Sequence, residues 1–285
     1  MEFIKNGRFA QYAESVLSSK EYYKEFLGKK MNPAQFRGAM SADISLAEVP
    51  GFNKYNIDRI SRTPSDEKMP SETILQTLAE HGAAAKRDDI CDGFDEYREH
   101  IYAHYDHGDF VTYVFPEDER LMYAVSRLRR FTNAFAAGSF YGYLVIWAMK
   151  AIFENEGMCV LSDINRDVCD VARKNLDQFG YGDHAKVCCE DAEILLKNRT
   201  EPIDLLILDA TGKYDDPRPE YRGKRIYGQL FAAVKHVLTK GSVIFVHNMQ
   251  PENPEMATLV DGLRSIGAVG ASYDTYNGLG VYVIA

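Results

Sequence analysis

Phe131-Thr132-Asn133-Ala134-Phe135-Ala136-Ala137-Gly138-Ser139-Phe140-Tyr141-Gly142-Tyr143 reads as a strand that runs into a glycine-containing turn and then opens a helix. The run from Phe131 to Ala137 belongs with others that are apolar on both faces, the mark of parallel strands covered by helices on each side. Gly138 and Gly142 let a backbone approach a ligand closely, and the N-terminus of the helix that follows offers free N–H groups. Alone, the same turn reads equally as tight packing.

Outward from this turn the alternation continues. Met158–Ser162, Ala185–Cys189, Ile203–Leu208 and Ser242–Val246 read as four further buried strands. Between them, Arg166–Phe179 carries one apolar face and ends before Gly180, and Glu220–Leu238 carries another, stopped by Gly241. Asn253-Pro254 is a cap and first-turn pair before a third helix. This is a βαβ series, and hence a parallel, doubly wound sheet. The chain then changes pattern: Val269–Tyr276 and Leu279–Ile284 read as strands joined by a tight Asn277-Gly278 turn. The expected fold is α/β, a mostly parallel seven-stranded sheet closed by a C-terminal antiparallel hairpin.

Residues 1–114 show no such alternation. Phe9–Phe26 and Ser71–Ala85 are helix-like, while Pro50, Gly51, Pro64 and Pro70 break the middle into an irregular linker near 45–70. A mainly helical N-terminal extension (1–114) ahead of a ligand-binding α/β domain (115–285) is therefore expected.

Composition narrows the function classes. The 285 residues are 46% hydrophobic and 26% charged, as in a globular protein, and no run approaches the ~20 apolar residues of a membrane span. The start, Met1 to Gly7, lacks the apolar core of a secretory signal, so a cytoplasmic location is expected. A net charge of −9 without a basic stripe argues against nucleic acid and for a small-molecule partner. The five cysteines lack C-x-x-C spacing and read as reduced thiols.

Chemistry gathers where the strands end. Asp163, in Leu161-Ser162-Asp163-Ile164-Asn165, is placed to accept hydrogen bonds from a ribose diol, or else to cap a helix. Asp191-Ala192 ends the third strand, Asp209-Ala210 the fourth and His247-Asn248 the fifth. Polar or glycine features at the carboxyl edge of successive parallel strands are where such a sheet binds its ligand.

With these residues in view, Phe115–Ala285 resembles the class I S-adenosylmethionine-dependent methyltransferases, in particular the caffeoyl-coenzyme A and catechol O-methyltransferase family. Phe115-Pro116-Glu117-Asp118-Glu119 is similar to that family's lead-in to the first strand. The resemblance implies that the turn from Gly138 through Ser139 and Tyr141 to Gly142 flanks the methionine portion of S-adenosylmethionine. It implies that Asp163 and Ile164 meet the ribose end, Asp191-Ala192 the adenine, and Asp209 both the cofactor and the methyl acceptor. Three departures stand out: Ala136 lies where the family has an acidic residue, His247-Asn248 where its metal-dependent members have Asp-Asn, and Lys213 one position from the family's lysine. An Asp209/His247/Asn248 set could hold a divalent ion, but a hard cation loses one carboxylate there, so no metal ligands are assigned. His247 then becomes the candidate general base, with Asp209 and Asn248 beside it.

The leading expectation is methyl transfer to oxygen, or nitrogen, of a small molecule in specialised biosynthesis. Ala136 also leaves open an intramolecular cyclisation or elimination of the cofactor that releases methylthioadenosine. A nicotinamide oxidoreductase and a non-catalytic binding module complete the alternatives. His104-Tyr105-Asp106-His107-Gly108-Asp109 lacks a zinc signature and reads as a polar loop. The tyrosines of the extension suggest a lid over the acceptor pocket or a homodimer contact.

Overall fold

The computed structural model describes residues 16–48, 64–108, 112, 114–275 and 277–285. Seven strands form one sheet: β1 (Asn133–Ala137), β2 (Met158–Asp163), β3 (Ala185–Cys189), β4 (Ile203–Leu208), β5 (Leu238–His247), β6 (Ala268–Tyr273) and β7 (Leu279–Ile284). Their order is β3-β2-β1-β4-β5-β7-β6, parallel through β5, with β7 antiparallel to both neighbours. The doubly wound sheet with a reversed C-terminal pair is as the sequence led us to expect.

Alternation along β1 sends its side chains to two cores. Ala134 and Ala136 face an aromatic layer that includes Trp147, Tyr143, Tyr97, Phe94, Val281 and Leu279. Phe135 and Ala137 face Leu206, Leu208, Tyr227, Leu230 and Ile244 on the other side. The small residues on the first face admit bulky rings there. That layer also receives Ile74 and Leu78 from the Pro64–Glu80 helix and Ile101 from the Phe94–His104 helix. The Pro64–Glu80 and Phe94–His104 helices thus share a core with the sheet. Leu17, Phe26, Phe36 and Met40 form a separate small cluster around the Glu21–Leu27 and Pro33–Ala42 helices.

Several boundaries differ from the sequence reading. The chain turns at 18–19, so Phe9–Phe26 is not one helix; its residues before 16 lie outside those described. Much of the expected 45–70 linker also lies outside them, but Pro64–Glu80 is a single helix that carries Pro70 inside it. Proline removes one helical N–H at that point, and the Ser71 hydroxyl donates to the Lys68 carbonyl at 2.9 Å beside the break. The expected Glu220–Leu238 helix shrinks to Ile226–Val234, and β5 already begins at Leu238. Gly241 lies within β5 at a positive φ of 86°, where the register against β4 shifts between Ile203 and Leu205. Period alone cannot distinguish the last helical turn from such a bulged strand start.

The hairpin also corrects the sequence. β6 and β7 pair as far as Tyr273 and Leu279, leaving residues 274–278 as a connection longer than a two-residue turn. Tyr276 lies outside the described residues. Gly278 has φ +77° and accepts from Met249 N at 3.0 Å through its carbonyl. Asn277 is 7% exposed and turned into the interior. Among the described residues, no helix is long and apolar enough to cross a membrane.

Candidate active site

The glycine turn joins the ends of β1 and β4 at close quarters. Asp209 N donates to the Ala137 carbonyl at 2.9 Å. A Cβ on Gly138, whose φ is +79°, would lie 2.4 Å from Ala210 Cα. Gly138 is therefore required by the crossing of two backbones, whatever binds above it. The Gly138 and Ser139 N–H groups both donate to the Ser162 carbonyl at 3.0 Å. Phe140 then takes a left-handed φ of 47°, costly for a residue with a Cβ, and its N–H donates to Asp163 Oδ2 at 3.0 Å. Gly142, at φ 81°, starts the Tyr143–Glu154 helix. The Ser139 hydroxyl is buried without a hydrogen-bond partner among the described residues, an uncompensated polar group of the kind a ligand satisfies.

Asp163 and Asp191 stand on the next two strand ends. Asp163 Oδ1 accepts from Asn165 N at 3.0 Å, while capping of the Arg166–Gln178 helix falls to Asn165, whose side chain accepts from Asp167 N. Asp191 caps the Ala192–Lys197 helix, accepting from Glu193 N at 2.8 Å. Ile164 is 67% exposed beside Asp163, and Ala192 is buried. Gly138, Asp163 and Asp191 thus sit at the carboxyl ends of three adjacent strands.

The polar loop from the extension packs against Tyr141 and Tyr143 and against the Arg166–Gln178 helix. The Tyr105 hydroxyl donates to the Tyr141 carbonyl in a short bond. Asn175, fully buried, grips the Asp106 backbone from both sides: Asp106 N donates to its Oδ1 at 2.9 Å, and its Nδ2 donates to the Asp106 carbonyl at 2.8 Å. The His107 and Tyr143 rings lie 4.6 Å apart, and Gly108 abuts the Tyr141 ring closely enough that a Cβ would come within 2.6 Å. Asp109 lies outside the described residues.

On the other side of the turn the structure brings together residues that the sequence scatters. His247, 3% exposed, has Nδ1 at 2.7 Å from Asp209 Oδ1 and Nε2 at 3.1 Å from Asp118 Oδ2. Both ring nitrogens face carboxylate oxygens, so both carry protons and the ring is an imidazolium. Burial works against that charge, but the carboxylates of Asp209 and Asp118 outweigh it and raise the histidine from 6.5 to about 10. Such a ring offers no lone pair near neutrality, which sets this arrangement against the general-base role expected of His247. For the same reason, Asp209, His247 and Asn248 do not fit a metal ion. Asp118, His247 and Asp209 form a row of contacts across the interior, and Asn248, at φ 58°, follows at the end of β5. Among the described residues, no group of three or more His, Cys, Asp or Glu is arranged to hold a metal.

Other residues of this site were not assigned to it from the sequence. Asp118 belongs to Glu117-Asp118-Glu119, the acidic run that the sequence offered only as a lead-in to the first strand. All three are in fact buried. Asp118 Oδ2 accepts from Phe115 N at 2.8 Å, which caps its own helix, Pro116–Val125. Glu119 accepts from Tyr102 OH at 2.5 Å and Tyr143 OH at 2.7 Å. Asn277 Nδ2 lies 3.4 Å from both Asp118 Oδ2 and His247 Nε2. Lys224 Nζ donates to the Ala210 carbonyl at 2.9 Å and to Tyr227 OH at 3.0 Å, with Asp209 Oδ1 3.9 Å away. Tyr227 OH in turn donates to the His247 carbonyl at 2.9 Å. Burial lowers the proton affinity of Lys224, opposed by Asp209 and Glu255. Lys213, the lysine nearest the expected position in the sequence, is exposed. A concavity of about 460 Å³ lined by Glu193, Lys197, Tyr221 and His236 lies elsewhere and holds none of these groups.

Comparison with known proteins gives residues 135–249 a match to a family model described as a methyltransferase domain. No curated protein matches the sequence. Among solved structures, the chain is similar to an O-methyltransferase from Bacillus cereus in complex with S-adenosylhomocysteine, at 16% identity and a TM-score of 0.48, covering 74% of this chain and 96% of that one. It is similar to the O-methyltransferase TomG from Streptomyces achromogenes in complex with S-adenosylmethionine, at 16% identity and a TM-score of 0.47, over 77% and 98%. A Podospora anserina methyltransferase, PaMTH1, bound to S-adenosylhomocysteine, aligns at 14% identity and a TM-score of 0.48 over 74% and 94%. The matched domain runs from within β1 to just past β5 and so contains every strand end described above except the β6–β7 connection.

Proposed function

We propose that this chain, with its methyltransferase domain over residues 135–249, binds S-adenosylmethionine across the ends of β1, β2 and β3. The methyl group then passes to an oxygen, or a nitrogen, of a small molecule lying against Asp209 and Lys224. The observation that carries this reading is the hydrogen bond from Asp209 N to the Ala137 carbonyl. It sets the charged groups of β4 and β5 directly beside the glycine turn, so donor and acceptor sites share one wall.

The residues fit the cofactor. The Ser139 hydroxyl, buried without a partner among the described residues, supports a place for the methionine portion at the turn that ends in Gly142, and Asp163 retains carboxylate lone pairs beyond its two backbone bonds. S-adenosylmethionine, when bound, supplies an electrophilic methyl on a sulfonium sulfur. The protein then has to align the acceptor with that methyl and remove its proton. Asp209 orients an acceptor hydroxyl by accepting its hydrogen bond. Lys224, whose proton affinity burial lowers, lies 3.9 Å from Asp209 Oδ1 and is the group we assign to receive the proton. His247 keeps its own protons and fixes Asp209. Tyr105 to Gly108, anchored by Asn175, exclude water from the cofactor side. In this reading residues 1–114 act as the cover and 115–285 as the cofactor domain.

Incubation with S-adenosylmethionine and a panel of hydroxylated aromatics, with chromatography of the nucleoside product, tests the proposal. S-adenosylhomocysteine formed only with an acceptor supports transfer. Methylthioadenosine formed without one favours the cyclisation or elimination that Ala136 leaves open. Lys224→Met should reduce transfer at least about a hundredfold, at the scale of general-base catalysis. It should also remove the rise of rate with pH that a lysine of lowered proton affinity produces. A Lys224→Met protein that works normally would exclude the lysine as proton acceptor.

A further inference from the structure

We propose that Asp118, carried by the helix that precedes β1, is a positioning residue of the active site. With Asp209 it clamps the His247 ring between two carboxylates, and through that ring it fixes the charge and direction of the Asp209 carboxylate. The role of Asp209 toward an acceptor rests on the function proposed above; the clamp itself does not.

The geometry is specific. Asp118 is fully buried and belongs to the lead-in segment rather than to any strand end. Its Oδ2 collects Phe115 N at 2.8 Å, His247 Nε2 at 3.1 Å and Asn277 Nδ2 at 3.4 Å, while its Oδ1 has no partner among the described residues. A helix cap would need only the first of these bonds, and a capping carboxylate ordinarily sits in solvent. Leaving one carboxylate oxygen buried and uncompensated is expensive, and the cationic ring is what offsets it. The groups facing His247 are Asp209 after β4, Asp118 with Glu119 behind it on the helix, Asn277 from the β6–β7 connection and Tyr227 at its carbonyl. Lys224 lies beyond Asp209, with Glu255 next to Lys224 N. Glu119 is engaged by Tyr102 and Tyr143, which leaves Asp118 as the second counter-charge. An imidazolium with both ring nitrogens engaged by carboxylates thus occupies the end of β5. Asp209 Oδ1 is taken by the ring, so its Oδ2 is the oxygen available to an acceptor.

Asp118→Asn tests this, because the amide oxygen can keep the bonds from Phe115 N and His247 while the charge is removed. In protein labelled with ¹⁵N-histidine and ¹³C-aspartate, His247 should remain an imidazolium in the parent chain from about pH 6 to about pH 9. In Asp118→Asn it should lose its proton within that range, and the Asp209 carboxyl signal should shift at the same pH. S-adenosylhomocysteine affinity, measured calorimetrically, should stay within about twofold, since Asp118 lies away from the strand ends assigned to the cofactor. A His247 that titrates identically in both proteins, or an Asp209 signal indifferent to it, overturns the proposal. If the parent chain binds no S-adenosylhomocysteine, the functional reading fails, and the clamp still stands or falls on the His247 titration.

Discussion

Asp118 and His247 are 129 residues apart in the chain and 3.1 Å apart in the interior. Removing the ring leaves a fully buried carboxylate facing Asp209 with no cation between them. Breaking a buried charge pair from one side costs about 3–5 kcal/mol. His247→Ala should therefore lower the urea midpoint of unfolding substantially, and an unchanged midpoint would mean that the row contributes nothing to the fold.

The same row makes stability depend on pH in a definite direction. The histidine is raised from 6.5 to about 10 on folding, so the folded state holds this proton more tightly than the unfolded chain. Its contribution is complete below 6.5, shrinks as pH rises and is gone above about 10. Thermal unfolding should show a melting temperature that declines through this window. His247→Gln should remove this part of the decline, leaving whatever lysines and tyrosines contribute.

Asp163 is expected to bear on cofactor affinity twice, through the ribose and through Phe140 N, which it holds at 3.0 Å. Charge-assisted hydrogen bonds contribute about 1.5–3 kcal/mol each. Asp163→Ala should weaken S-adenosylhomocysteine binding by at least about tenfold on that scale. Calorimetry on the folded variant decides; undiminished affinity rules out the ribose assignment.

Chelation should leave turnover unchanged. Both nitrogens of His247 are spent on carboxylates, and Asp209 Oδ1 is one of those partners, so the positions that would hold a divalent ion are already filled. Loss of activity in EDTA, restored by Mg²⁺ or Mn²⁺, would show that the row opens to admit a metal.

Tyr105→Phe removes the hydroxyl that donates to the buried Tyr141 carbonyl. An unsatisfied buried acceptor costs about 1–3 kcal/mol, and here the loss falls on the contact between cover and glycine turn. Stopped-flow measurement should find faster release of S-adenosylhomocysteine. An unaltered release rate would indicate that the Tyr105 to Gly108 loop does not cover the cofactor.

The central strands β1, β4 and β5 were legible because burial on both faces leaves a continuous apolar run in each, while β3 and β6 at the sheet edges are only partly buried and were legible from their place in the alternation. The strand-end positions of Gly138, Asp163 and Asp191 were legible for a related reason: each ends or closely follows a strand, so local order alone puts it there. Errors came where two readings share one local pattern. The apolar stripe through Leu238 could close a helix or open a strand, and only pairing of Leu238 with Ile203 on β4 chose the strand. Asn277-Gly278 carries the composition of a tight hairpin turn, yet Asn277 is drawn inward by Asp118 and His247.

The acceptor side was a matter of tertiary structure. His247 and Asp209 could be named from the sequence, but whether the ring is a base or a fixed cation depends on what faces its second nitrogen. That group is Asp118, on a helix whose acidic start looks like any exposed first turn. Lys224 likewise lies in a loop with no periodicity to mark it, while the exposed Lys213 is nearer in sequence. Sequence order determines which residues end a strand, because the backbone carries each one there. The protonation state of a buried group depends on burial and on charges brought from distant segments, and only the folded chain sets those distances.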